Sequence, residues 1–355
     1  WGGLPTKDNN PEAYEALLEF RELIAHGKES EALELADRKM IGIPRRIEPY
    51  QTFGDIFLDF EGQDYYGDYT RELCLREATC RIWYTTEMGR ILHQREAFIS
   101  SPAQVLTMRL TASEPGRQTL KIRLNRIADA RTRCEGERLL LEGQLHQDKG
   151  IAFRGVLGLS TRGGEVIRHD RHLEVIEADE VCLYFAATTS WDKQRFPNPE
   201  GLISAAMEKG FNALRNEHIE DYRTFFDRAG LDLQGPEHAH TDWGTNSRLK
   251  EISLGHTDPK LVALYFDFGR YLLISSSRPG CLPANLQGIW ADGLSPPWDC
   301  DFHFNINLQM NYWPAEVTHL ADCHRALFDF LDFLRESGRE TAWQTYRCNG
   351  VTVHH

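Results

Sequence analysis

Between residues 53 and 187 the chain passes from polar to apolar and back in short runs, each closed by a turn signal. Asp55–Phe60, Thr79–Thr85, Arg90–Ala97, Val105–Ala112, Thr119–Leu124, Leu139–Leu145, Phe153–Ser160 and Val181–Ala187 are rich in β-branched and aromatic residues. Met88-Gly89, Pro115-Gly116 and Gly163-Gly164 lie among them. Runs of this length and spacing predict strands, and eight or more in series predict an antiparallel sandwich. On either side the spacing is helical. Residues 11–40 place Leu17, Leu18, Leu23, Ile24, Ala32, Leu33 and Leu35 at helical intervals broken at Gly27, which predicts two short helices. Residues 201–227, 259–277 and 324–343 repeat that spacing, whereas residues 278–298, with Pro283, Gly288, Gly293, Pro296 and Pro297, fit neither period. The pattern divides the chain into a β-sandwich domain with an early helical segment over residues 1–190, a helical linker over 191–245 and a second helical region over 246–355.

One segment stands apart. From Asp301 to Met310 polar and apolar residues alternate without a break, and the polar set is Asp301, His303, Asn305, Asn307 and Gln309. In an extended chain, side chains two apart share a face, so Asp301, His303, Asn305 and Asn307 would point into one space while Phe302, Phe304, Ile306 and Leu308 anchor the other side. A helix would turn Asn307 about 200° away from Asn305. Around this segment, residues 281–316 add Trp290, Trp298, Tyr312 and Trp313 to Asn285, Gln287, Asp299 and Asn311. Aromatic rings beside hydrogen-bonding side chains suit a sugar, whose C–H faces pack on rings while its hydroxyls meet polar groups. The residues alone also fit a packed, asparagine-capped loop of a helical domain, and both readings stay open at this point.

Composition narrows the function. Of 355 residues, 41% are hydrophobic and 26% charged, as in ordinary globular chains. Lys and Arg number 40 against 53 Asp and Glu, a formal charge of −13 that opposes nonspecific attraction to nucleic acid or to an anionic membrane surface. No apolar run reaches the 18 residues of a membrane span. Residue 1 is Trp and no basic-then-apolar leader follows, so the natural start and any export signal are expected upstream. The eight cysteines form no C-x-x-C pair, which argues against zinc knuckles and redox motifs; most are expected to be buried free thiols, and an even count would permit disulfides in an exported protein. His169, His172, His238 and His240 have a spacing that could suggest a metal site, but their polar, loop-like setting reads as solvent exposure, and no metal or cofactor is expected.

The string PANLQGIW followed by PPWDCDFHFNINLQMNYWPAE closely resembles the signature of glycoside hydrolase family 95, the inverting α-L-fucosidases and α-L-galactosidases. WGGLPTKDNNPEAYEALLEFRELIAHGKESEALELA resembles that family's early helical segment, and IEPYQTFGDIFLDF resembles the start of its sandwich, so the likeness runs through the whole chain. It implies an N-terminal β-sandwich, a helical linker and, over residues 246–355, the first part of an (α/α)6 barrel, in a fragment truncated at both ends. It implies that Asn305 and Asn307 are the amides that orient and activate the attacking water. Trp290, Trp298, Asp299, Asp301, His303 and His355 are expected to bind a fucosylated oligosaccharide or glycan. The Glu that protonates the leaving oxygen and the Asp that polarises the amides are expected beyond residue 355.

An inverting hydrolase needs an acid on one side of the glycosidic bond and a water-activating group on the other. An amide orients water but takes no proton, so Asn305 and Asn307 supply half of a mechanism. Glu316, Asp299 and Asp301 are local carboxylates expected to brace the loop or hold hydroxyls. His303 alone would read as a structural histidine. In the resembled family its position carries His in fucosidase-like members and Thr in those preferring L-galactose, so the likeness implies selection of the C6 methyl of L-fucose. An α-L-galactosidase and a non-catalytic fucose-binding or structural fragment are the alternatives. A phosphorylase of the same plan is disfavoured by the N-x-N-L-Q-M-N-Y-W-P string. Small departures from the family pattern are Cys300 and Phe302 where Ser and Tyr are frequent, Phe304 where Thr is frequent, and Val351 where Trp is usual.

Overall fold

The computed structural model describes residues 9–45, 47–191, 198–234 and 243–354. Among them lie twelve strands and ten α-helices. The strands are β1 (Asp55–Phe60), β2 (Gly67–Cys74), β3 (Thr79–Thr86), β4 (Ile91–Ser100), β5 (Val105–Ala112), β6 (Gln118–Asn125), β7 (Ala130–Glu135), β8 (Arg138–Gln144), β9 (Ala152–Arg162), β10 (Glu165–Arg168), β11 (His172–Ala178) and β12 (Glu180–Thr189). The helices are α1 (Ala13–Ala25), α2 (Glu29–Lys39), α3 (Leu145–Asp148), α4 (Pro199–Lys209), α5 (Phe211–Phe226), α6 (Thr245–Ser253), α7 (Pro259–Ser276), α8 (Asn307–Tyr312), α9 (Pro314–Val317) and α10 (Ala321–Tyr346). Two compact units form: Phe53–Ser275 with Thr318–Leu320, and the described residues of Trp1–Thr52, Ser276–Val317 and Ala321–His355.

In the first unit the expected sandwich is present. A four-stranded antiparallel sheet, β1-β6-β11-β10, faces an eight-stranded one, β2-β3-β4-β5-β12-β9-β8-β7. Strand β6 shows why: Leu120, Ile122 and Leu124 point inward and are buried, while Lys121 and Arg123 point out. They meet Leu139, Leu141, Leu157, Leu159 and Leu183 of the larger sheet in one core. Those strands are apolar on both faces, because the side opposite the core is also covered. Leu140, Val156, Cys182, Tyr184 and Ala186 pack against Ile203 and Ala206 of α4 and Phe211 and Leu214 of α5. A Cβ at Gly158 would come within 2.7 Å of Ile203 Cγ2, so glycine allows α4 to lie this close to β9.

The helical pattern over 201–227 forms two helices, α4 and α5. Gly210, at φ 77° and ψ 161°, ends α4 and starts α5 in a conformation that other residues adopt at a cost. Arg270 of α7 is 2% exposed and donates to the carbonyls of Phe225 (3.0 Å), Phe226 (2.6 Å) and Ala229 (2.6 Å), closing the C-terminus of α5. No described helix is long and apolar enough to cross a membrane.

In the second unit α1 and α2 are split at Gly27, as the sequence predicts, and α1 packs on α10. Thr341 donates to Asn9 Oδ1 at 3.1 Å, and the Arg347 guanidinium sits 5.1 Å from the Tyr14 ring centre.

Candidate active site

Residues 277–313 are held by polar groups more than by ladders. The Tyr312 side chain is 1% exposed; its hydroxyl accepts from the Ala284 N–H (2.8 Å) and shares a hydrogen bond with Ser277 Oγ (2.8 Å). One residue earlier, Asn311 donates to the carbonyls of Ala284 (3.3 Å) and Asn285 (2.9 Å). The Asn285 side chain accepts from the Gln287 N–H at 3.2 Å and from the Cys300 thiol at 3.1 Å. The Leu286 N–H donates to the Asp301 carbonyl at 2.8 Å, which joins the PANLQG and WDCD stretches. These bonds satisfy a buried, irregular backbone that has no sheet partner.

Trp298, Asp299 and Cys300 then follow one another in the left-handed region, at φ 51°, 55° and 50°. Three consecutive non-glycine residues there are costly, of order 1–2 kcal/mol each, and persist because their surroundings fix them. The Tyr50 N–H donates to the Asp299 carbonyl (2.8 Å), the Thr52 N–H to the Gly293 carbonyl (3.0 Å), and Cys300 is fully buried. The Tyr50 ring meets Phe302 edge-on at 5.4 Å. Burial and the nearby Cys300 push the Tyr50 hydroxyl above its ordinary value, and burial likewise raises the Cys300 thiol despite its bond to Asn285.

The extended reading of residues 301–310 is corrected. Asp301 is extended, but His303 is left-handed at φ 43°, residues 304–306 turn, and α8 begins at Asn307. The four polar residues therefore do not line one strand face. Asp301 and His303 bond to each other through Oδ1 and Nδ1, and the same Oδ1 accepts the His303 N–H at 3.1 Å; their side chains are 17% and 12% exposed. Asn305 is exposed on the turn and Asn307 is half-buried at the start of α8; among the described residues neither side chain has a hydrogen-bond partner. The apolar half of the pattern does anchor. Phe302 and Phe304 lie 4.6 and 6.1 Å from the Phe330 ring of α10, and Leu308 is buried.

Trp298 (74% exposed), Trp290 (47%) and Trp313 (63%) keep much of their ring surface in solvent. Asp299 is half-buried on the left-handed turn, and His355 lies outside the described residues. Glu316 pairs with His324 Nδ1 at 2.7 Å, and that bond holds the carboxyl below its ordinary value. His324 in turn stacks on Tyr312, with ring centres 5.3 Å apart. Glu316 is thereby joined to the framework. Tyr50 is a positioning residue that sequence reasoning missed, and Tyr312, read there as one of the aromatics of the polar stretch, is a buried positioning residue.

Comparison with known proteins gives the class first. Residues 1–194 match the model described as Glycosyl hydrolase family 65, N-terminal domain, and residues 210–355 match the Glycosyl hydrolase family 95 catalytic domain. Both describe parts of glycoside hydrolases. The chain is 32% identical to a protein named Alpha-L-fucosidase 2 from Arabidopsis thaliana, over 100% of this chain and 46% of that protein. It is 31% identical to a Probable alpha-fucosidase A from Aspergillus niger (86% of this chain, 41% of that protein) and 28% identical to one from Aspergillus oryzae (90% and 47%). The chain belongs to glycoside hydrolase family 95. It spans about half the length of these curated relatives.

Proposed function

We propose that the chain carries the sandwich and the leading barrel helices of an α-L-fucosidase, which removes terminal α-L-fucosyl groups from oligosaccharides or glycoconjugates with inversion. The observation that carries the reading is the whole-chain similarity to a protein named Alpha-L-fucosidase 2. The local geometry supports it. Among the described residues the Asn305 and Asn307 amides have no hydrogen-bond partner, His303 close by in the chain is braced by Asp301, and the Trp290, Trp298 and Trp313 indoles are exposed, which suits a substrate of C–H faces and hydroxyls.

On this reading Asn305 and Asn307 orient the attacking water, and the general acid and the amide-polarising carboxylate come from sequence outside residues 1–355. Asp301 holds the His303 ring through Nδ1, and on this reading the held ring packs against the C6 methyl of fucose. Trp290 and Trp298 supply packing faces, and Asp299 and His355 hold hydroxyls. The full-length protein incubated with 4-nitrophenyl α-L-fucoside and with 2′-fucosylated lactose is expected to release fucose. Cleavage of other glycosides with no action on either fucoside would overturn the reading. The polypeptide of residues 1–355 alone is expected to be inactive, because an acid and a base each contribute about 10²–10⁴ in rate. Enzyme-like turnover by that polypeptide would place the acid within it.

A further inference from the structure

On the outer face of the four-stranded sheet, far along the chain from the polar segment, His169, His172 and Glu174 bring three ligand atoms within 4.8 Å of one another. The sheet explains two of them. His172 and Glu174 are two apart on β11 and share a face, while Leu173 and Val175 between and beyond them are fully buried in the core. The third arrives over the turn from β10, where the His169 N–H donates to the His172 carbonyl at 3.0 Å. His169 Nε2 already lies 3.1 Å from Glu174 Oε2. Strand β11 is paired on both sides, to β6 and to β10, so two of the ligands stand on a rigid strand.

We propose that His169, His172 and Glu174 form a binding site for a zinc-type dication, which ties the β10–β11 turn to the sheet. Two imidazoles and one carboxylate are a ligand set that suits zinc and its late transition-metal neighbours, and leave a fourth position for water. Calcium and magnesium prefer all-oxygen sites. The imidazole rings stack at 4.0 Å and 9°, so their nitrogen lone pairs lie in two parallel planes, and an ion shared by both requires one ring to turn. His169 is on the turn and exposed, so its ring can rotate with no change in the sheet.

The neighbours act in two directions. Arg123 and Lys121 of β6 lie opposite His172 and Glu174, and their charge opposes a cation. Arg123 is engaged by Asp59 through both of its oxygens, at 2.9 and 3.3 Å. The site would serve the fold where it is weakest, since β10 is a four-residue strand at the edge of its sheet.

The test is equilibrium dialysis of the chain against zinc chloride with metal analysis, comparing wild type with His172→Ala, Glu174→Gln and a His256→Ala control. Zinc held by cysteines elsewhere is common to all four proteins and cancels in the comparison. The wild type and the control are expected to hold one more equivalent than the two site variants, whose affinity for that equivalent falls about tenfold or more. Hydrogen exchange of residues 165–176 is expected to slow with zinc in the wild type alone, and magnesium is expected to do nothing. If Glu174→Gln, which preserves size and surface, binds as much zinc as the wild type and shows the same protection, the site is not there.

Discussion

The sandwich core and the 277–313 segment are both well packed, yet they are held by different forces. In the sandwich, Leu120, Ile122, Leu139, Leu157 and Leu173 are buried between ladders that satisfy their own backbones, so apolar area carries the stability. In the polar segment the backbone is irregular, three consecutive residues are left-handed, and the hydroxyl of Tyr312 and the amides of Asn285 and Asn311 meet backbone groups that a sheet would have paired. A region built the first way tolerates change at its surface. A region built the second way leaves side chains such as Asn305 and Asn307 without a hydrogen-bond partner among the described residues, because other residues carry the structural work.

If that contrast is right, the largest effect of a single substitution falls on chemistry and leaves folding alone. In the full-length protein Asn307→Ala is expected to lower kcat about 10²- to 10⁴-fold with little change in KM, because orientation of water matters mainly in the transition state. Steady-state kinetics on an aryl α-L-fucoside check this, and a rise in KM at constant kcat would assign Asn307 to ground-state binding instead.

Stability separates the two regions next. Leu157→Ala opens a cavity in the sandwich and is expected to cost about 2–5 kcal/mol. Tyr312→Phe leaves the Ala284 N–H without its acceptor and is expected to cost about 1–3 kcal/mol. Hydrogen exchange resolved along the chain should show loss of protection in β8, β9 and β12 for the first and in residues 277–313 for the second. Equal loss everywhere in both variants would mean that the two regions unfold as one.

His303→Thr addresses specificity. Widening the space beside C6 is expected to move the ratio of kcat/KM for α-L-fucoside over α-L-galactoside by roughly 10- to 200-fold, about 1–3 kcal/mol. An unchanged ratio would turn the histidine away from C6.

Acid gives the smallest effect, and again it divides the regions. Burial pushes the Glu96 carboxyl of β4 up, but hydrogen bonds and charge from Arg215 and Arg81 outweigh it and the net shift is downward. A depressed carboxylate stabilises the fold at pH values above its unfolded pKa, and this contribution is lost as pH falls through the folded value. The sandwich is therefore expected to lose stability below the ordinary carboxylate range, with Glu96→Gln flattening that dependence. Glu316→Gln should flatten it less, because the Glu316 side chain is 57% exposed and screened by solvent. Thermal melts from neutral pH to pH 3 check both.

The same contrast explains how much of the molecule the sequence reveals. The eight strand runs read from their β-branched and aromatic residues and bounding turn signals all reappear within a few residues: strands buried on one face, such as β6, alternate, and those buried on both, such as β8 and β9, stand out as short apolar runs. The remaining four escape for separate reasons. Strand β2 is exposed along nearly its whole length, β7 is polar at most positions, β10 is four residues long, and β11 alternates but is interrupted by Ile176 and Glu177. In residues 301–310 the alternation is just as regular, yet it does not make a strand. Phe302 and Leu308 are buried by α10 and their own helix turn, and His303 reverses the chain between them. Period alone cannot separate a ladder from a loop whose apolar residues are each anchored in a different place.

The central claim is that Asn305 and Asn307 orient water on an α-L-fucoside for inversion, and the anomer that appears first tests it most directly. Proton NMR of the full-length protein acting on 2′-fucosylated lactose is expected to show β-L-fucose first, with the α-anomer growing in only by mutarotation. In Asn307→Ala the same anomer should appear, more slowly by the factor given above. Appearance of α-L-fucose first would mean net retention through a covalent intermediate and would contradict the role given to the two amides.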